Sequence, residues 1–220
     1  MKRLLTLLGV SCFYFFADAG PTHNTCGDEI SLIRHHYSIS YGDTIEAGVA
    51  LEHEISTTWS VSPASGVNKA SGSGKTTGDL IFSQPGKYQI TFQIPAHGDH
   101  PAKTETALVE VSNVKMIFDT QKISFSRPLT TGDASGVIMT VPVEVKTYDS
   151  KPFDYTTREV QTTGVGRVSS RLKDGRAMLK EGQNLLPFEL SGSISQRGNI
   201  QFRVYDDKGE AVFFNYSITN

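Results

Sequence analysis

The residues that most resemble a chemical site are Ser71-Gly-Ser-Gly-Lys-Thr-Thr-Gly-Asp79. A phosphate-cradling loop reads G-x-x-x-x-G-K-[ST]: its backbone amides wrap the phosphates, its Lys reaches them and its hydroxyl holds Mg²⁺. Gly74, Lys75 and Thr76 supply the second half, but Lys69 stands where the first glycine belongs. Such a loop also has to leave a strand and enter a helix. Here "GDLIFSQPGKYQITFQI" follows, and Pro85-Gly86 breaks any helix. A polar loop between two strands is the expectation. His97 and His100 in "HGDH" flank an aspartate, but a metal site needs a third ligand and a rigid frame. They are expected in a hairpin loop between Ile94 and Leu108. His35-His36 carries no more weight. Asp206, Asp207 and Glu210 of "YDDKGE" lack the ligand spacing of a calcium loop and read as a hairpin turn. There is no G-x-S-x-G elbow. No catalytic residue, metal or cofactor is expected, and the chain does not read as an enzyme.

One charged stretch is a candidate for binding. Residues 158–180 hold Arg158, Arg167, Arg171, Lys173, Arg176 and Lys180 against Glu159 and Asp174, a net of +4. If "GRVSSRLK" is a strand, Val168 and Leu172 point inward while Arg167, Ser169, Arg171 and Lys173 share the outward face. With Arg176 they make a basic stripe for acidic protein, anionic glycan, lipid head groups or DNA backbone, set against a plain solvated face. Nucleic acid is not favoured, because the stripe lacks interleaved aromatics.

The compartment is read from the N-terminus. Lys2 and Arg3 precede an apolar run of 13 residues, Leu4 to Phe16, and Ala17-Asp18-Ala19 has the form of a signal-peptidase site. The run is too short to cross a bilayer as an ordinary helix. Cleavage after Ala19 is favoured over lipidation at Cys12, which follows Gly9-Val10-Ser11 but precedes "FYFF" rather than a polar tether. Membrane contact is expected only if Cys12 is lipidated, which would anchor the chain at an outer membrane. Cleavage leaves Cys26 alone, so no internal disulfide can form. An exported protein relying on its apolar cores suits the periplasm or envelope of a Gram-negative bacterium, and the Asn215-Tyr216-Ser217 sequon then has no meaning. Removing residues 1–19 takes away Lys2, Arg3 and Asp18; 19 basic and 22 acidic side chains remain, a net of −3. That balance argues against a protein dedicated to nucleic acid.

The elements that would carry any site are strands. "KYQITFQI" places Tyr88, Ile90, Phe92 and Ile94 on one face, and "NIQFRVYD" places Ile200, Phe202 and Val204 inward. "TALVEV" and "EAVFFNYSIT" also read as strands, and "SQPGK", "AHGDHP", "LTTGDASG", "LKDGR" and "YDDKGE" punctuate the runs. No dozen residues show helical periodicity. The fold class is all-β, two tandem immunoglobulin-like β-sandwich domains after a signal peptide. The divisions are a signal peptide over 1–19, a tether over 20–36, a first sandwich over 37–112 and a second over 113–220. The first resembles a PKD-like or bacterial immunoglobulin-like module in its Trp59 strand, "PGKY" turn and "ALVEVS" strand, with Trp59, Phe82, Tyr88 and Phe92 packed between sheets. In the second, Val137, Met139, Val141, Val143 and Val145 share one face, and Pro142 points to an edge or a bulge.

The second module runs from "VKMIFDTQKISF" through "VIMTVPVEVKTYD" and "TTGVGRVSSRLKDGRAMLKEGQNLLPFELSG" to "GNIQFRVYDDKGEAVFFNYSITN". Through Gly164, Gly166, Asp174, Gly175, Gly182, Asn184, Gly209 and Asn220 it resembles the TraQ-like proteins of Bacteroidetes conjugative transposons. The resemblance covers about half the chain, and the first module has no counterpart in it. It implies an envelope protein of a conjugative transfer apparatus that works by protein–protein contact and carries no active-site residues. A glycan-binding or adhesive surface module is the alternative. Exposed aromatics would favour it, with Tyr148, Phe153 and Tyr155 the residues to place.

Overall fold

Strict alternation of apolar and polar side chains puts one face of each strand into a core, and two such faces must cover each other. A computed structural model describes residues 31–51, 55–98 and 100–219, and the expected signal peptide, Cys12, Cys26 and Asn220 lie outside the described residues. The fold is all-β: two immunoglobulin-like sandwiches in tandem.

The first sandwich is built from β1 (Ser31–Leu32), β2 (His36–Ser40), β3 (Thr44–Ile45), β4 (Val49–Ala50), β5 (Thr58–Ser62), β6 (Ser71–Ser73), β7 (Leu80–Ile81), β8 (Gly86–Ile94) and β9 (Lys103–Ser112). Its main sheet runs β2-β9-β8-β5-β6, with β2 parallel to β9 and the other pairs antiparallel. The pairs β1–β4 and β3–β7 form the opposing layer. Trp59, Phe82, Tyr88 and Phe92 are buried together, with Leu80, Ile90 and Val109. Of the span expected as a tether, Ser31 and Leu32 belong to the first sandwich instead, because β1 pairs with β4 and Leu32 is buried in this core.

The second sandwich contains β10 (Val114–Phe118), a 3₁₀ turn (Thr120–Lys122), β11 (Ser124–Phe125), β12 (Gly132–Asp133), β13 (Ile138–Thr147), β14 (Phe153–Thr156), β15 (Val160–Gln161), β16 (Thr163–Gly164), β17 (Gly166–Leu172), β18 (Arg176–Leu179), β19 (Gly182–Ile194), β20 (Gly198–Tyr205) and β21 (Ala211–Ile218). A seven-stranded sheet runs β10-β13-β19-β17-β15, with β11 against β13 and β12 against β19; β16-β20-β21 faces it, and β14–β18 is a separate pair. Val137, Met139, Val141, Val143 and Val145 are fully buried against Leu186, Phe188, Ile200 and Phe202.

Pro142 lies neither on an edge strand nor in a bulge, since β13 has β19 on one side and β10 and β11 on the other. The Pro142 carbonyl accepts the Asp119 N–H at 3.0 Å, so the backbone polar groups of this residue face the β10 side. There the neighbouring chain leaves the sheet for the 3₁₀ turn between Phe118 and Ser124, and no partner strand asks Pro142 for the N–H it lacks.

Candidate binding face

Burial of Met139, Val141 and Val143 forces Ile138, Thr140, Pro142 and Glu144 of β13 outward, and the register carries the same face across the neighbouring strands. Pro142 stands opposite Leu185, Thr140 opposite Pro187, Glu144 opposite Gln183 and Ile117 opposite Glu144. Leu185 is 66% exposed and Ile117 40% exposed. Pro142 and Leu185 make an outward apolar pair across β13 and β19, and Ile117 of β10 lies diagonal to Pro142, beside Glu144. A groove of about 410 Å³ lies beside it, lined by Ile117, Phe118, Lys122, Glu144 and Gln183 among others. Glu144 stands between Ile117 and Gln183 with Lys146 beyond it, and the Arg171–Glu189 pair lies on the other side, past Thr140 and Pro187.

The basic stripe joins this face only in part. Arg167 and Arg171 point outward from β17, opposite Ser193 and Glu189 of β19. The Arg171 guanidinium donates to Glu189 Oε2 from Nη2 at 2.7 Å and from Nε at 3.3 Å, so its charge is met within the protein. Ser169 is buried and shares a hydrogen bond with Ser191 at 2.7 Å. Lys173 falls one residue beyond β17, in the turn that follows. Arg176 begins β18, opposite Thr156 in a different sheet. The four side chains do not form one stripe, because the Asp174-Gly175 turn carries the chain off the sheet between them. Leu185 and Ile117 were not foreseen. The run "NLLPFEL" held the signal: alternation cannot bury both Leu185 and Leu186, and Leu186 is in step with Phe188 and Leu190.

"YDDKGE" is the hairpin turn its residues imply, and it also reaches the first sandwich. Asp206 closes the β20–β21 hairpin by accepting the Lys208 and Glu210 amides on Oδ1 at 2.9 and 2.8 Å. The Lys208 side chain is 7% exposed and sits 2.6 Å from Asp206 Oδ2. It donates to Ser40 Oγ of the first sandwich at 2.8 Å, and Ser112 Oγ donates to Asp207 Oδ2 at 2.7 Å. Lys115 pairs with Asp43, and the Tyr148 ring meets Tyr41 edge-on at 5.7 Å. Asn113 alone separates β9 from β10. Desolvation pulls the Lys208 ammonium pKa down, but the hydrogen bond to Asp206 and the charges of Asp207, Asp206 and Glu210 outweigh it and hold the value above the ordinary one.

The remaining candidates have structural explanations. Ser71–Ser73 of the nucleotide-loop look-alike is not a loop but strand β6, and beyond it the Val49 N–H donates to Lys75 O, the Thr77 N–H to Ala47 O and the Gly74 N–H to Thr57 O. His97 and His100 pair across a tight hairpin with stacked rings 5.1 Å apart, and Asp99 between them lies outside the described residues. Among the described residues no group of three or more His, Cys, Asp or Glu gathers in metal-binding geometry. Tyr155 is buried and donates its hydroxyl to Tyr205 O, Phe153 packs against the second core, and Tyr148 is half-exposed.

The glycines and turn residues Gly164, Gly166, Asp174, Gly175, Asn184 and Gly209 serve the backbone. A Cβ on Gly164 would overlap the Asn199 carbonyl, and one on Gly166 would come within 2.6 Å of Ser193 O; these two glycines sit where the chain leaves β15 for the opposite sheet and returns to β17. Asp174 and Gly175 form the turn after β17. Asn184 Nδ2 donates to the Lys180 and Gly182 carbonyls at 2.7 and 2.9 Å, closing the turn into β19. Gly209 completes the last hairpin by donating to Asp206 O.

No protein-family model and no curated protein matches the chain. Among solved structures it is similar to a chimeric titin Z1Z2 carrying a decorin peptide, at 12% identity and a TM-score of 0.29 over 86% of this chain and 95% of that one. A YadV chaperone is similar at 8% identity and a TM-score of 0.26, over 86% and 99% of the two chains. Titin A168169 is similar at 12% identity and a TM-score of 0.25, over 87% and 97%.

Proposed function

We propose that this chain is an exported, non-catalytic binding protein that docks a partner protein on the outer face of its second sandwich. The observation that carries this is the outward-facing Pro142–Leu185 pair with Ile117 diagonal to it, exposed apolar side chains edged by Glu144 on one side and by the Arg171–Glu189 pair on the other. Taken with the resemblance to TraQ-like proteins, the partner is a component of a conjugative transfer apparatus in a Gram-negative envelope. The glycan-binding alternative is the weaker reading, since Tyr155 is buried, Phe153 packs against the second core, and the half-exposed Tyr148 leans on Tyr41, so the three offer no aromatic platform.

Affinity capture of the tagged protein from envelope extracts of its host, followed by mass spectrometry, tests the reading. Transfer proteins are expected with the native chain and not with Leu185→Glu. Deleting the gene is expected to lower transfer frequency. Recovery of polysaccharide-uptake proteins instead, or normal transfer in the deletion, overturns the assignment.

A further inference from the structure

The open edge of β21 is unlike every other edge among the described residues. Of the other edge strands, β1, β3, β4, β7, β15 and β16 have two residues each, β6 three, and β14 and β18 four with Asp154 and Arg176 among them. β2 and β10 have five, β2 opening on His36 and β10 carrying Lys115 and ending at Phe118, just before Asp119. β21 offers eight residues, and from Ala211 to Thr219 the chain has no charged side chain and no proline. Natural sheets guard long edges with charge, proline or bulges because an unguarded one templates further pairing.

The hydrogen-bond pattern shows which groups are free. The Asp206 N–H donates to Glu210 O, and antiparallel pairs alternate between bonded and non-bonded, so Val212, Phe214, Tyr216 and Ile218 exchange bonds with β20. The amides and carbonyls of Ala211, Phe213, Asn215 and Ser217 therefore point to the open edge. On the partner side of β20, Val165 donates to Asn199 O, which agrees with this phase. Phe213 is 52% exposed on the outer surface. On the inner surface Phe214 and Tyr216 are only half-buried, stacked on Phe202 and set edge-on to Phe125 respectively.

We propose that β21 pairs antiparallel with β21 of a second copy, joining two three-stranded sheets into one of six. A two-fold axis through Asn215 satisfies every observation. Asn215 then exchanges both backbone bonds with its own counterpart, and Phe213 does so with Ser217 of the other copy. On the inner side Phe214 meets Tyr216 and Val212 meets Ile218, which covers the half-buried aromatics with aromatic partners. No like charges face each other within the paired segment. The pairing is isologous, so each of these contacts is made twice, once by each copy. The interface is separate from the outward Pro142–Leu185 pair.

The test is sedimentation velocity of the full chain over a dilution series reaching about 100 µM, a range that reports interfaces at the small end of the size scale. The wild type is expected to dimerise with concentration. Asn215→Pro removes an N–H that makes no bond to β20, and Asn215→Lys sets two cations against each other on the axis. Each is expected to reduce the dimer at least tenfold while far-UV circular dichroism stays that of the wild type. Leu185→Glu is expected to leave the dimer intact. A wild type that stays monomeric overturns self-pairing, leaving the edge to a strand from another protein. A dimer unchanged in folded Asn215→Lys overturns it as well.

Discussion

Replacing Lys208 by Met tests whether the last hairpin fixes the two sandwiches together. Both members of the Lys208–Asp206 pair are almost fully buried, at 7% and 8% side-chain exposure, and removing one partner of such a pair costs about 3–5 kcal/mol because the other is left charged and dry. Asp206 keeps two backbone amides on Oδ1, which offsets part of that loss and places the expectation near the lower end, about 3 kcal/mol. The link to Ser40 Oγ disappears with the ammonium, leaving Ser112–Asp207, Lys115–Asp43 and the Tyr41–Tyr148 contact across the junction. Urea unfolding is expected to show the second sandwich destabilised, and small-angle scattering a broader distribution of inter-sandwich distances. The folded-state pKa of Lys208 lies above its unfolded value, so its contribution is complete at neutral pH and is lost as pH rises past about 10.5. The wild type is therefore expected to converge on the variant in alkali. Equal stability of the two proteins at pH 7, with unchanged scattering, refutes the reasoning.

Tyr155 gives a second alkaline signature. Burial pushes its phenol up to about 12 from 10.0, so stability falls between those pH values; Tyr155→Phe removes that slope at a cost of about 1–2 kcal/mol for the orphaned Tyr205 carbonyl, measurable by denaturant titration. Phe202→Ala empties a fully buried site against Phe125 and Phe214, and thermal unfolding is expected to register a loss of about 3–5 kcal/mol. Gly166→Val drives a side chain into the Ser193 carbonyl at a sheet crossover and is expected to yield little soluble protein, whereas Gly175→Asn in the open turn is expected to express normally. Ending the chain at Gly209 removes β21 and with it buried Ile218, and limited proteolysis is expected to find the second sandwich unfolded; a resistant fragment counts against the strand's structural role.

What the sequence determined was local and periodic. Period-two alternation put Tyr88, Ile90, Phe92 and Ile94 on one face, and Val137 through Val145 likewise, because a strand has only two faces and water selects one. The turn residues followed from backbone geometry, and Pro85-Gly86 ruled out the helix a phosphate loop needs. Alternation cannot say which strand lies beside which. Tertiary structure alone decided that Pro142 sits opposite a break in its neighbour and that Arg171 meets Glu189 while Arg176 lies in another sheet. It also set Lys208, which reads as an ordinary hairpin residue, against Ser40, 168 positions earlier in the chain. Those outcomes depend on contacts between distant segments, whose register is fixed by how two whole cores pack rather than by any neighbouring residue.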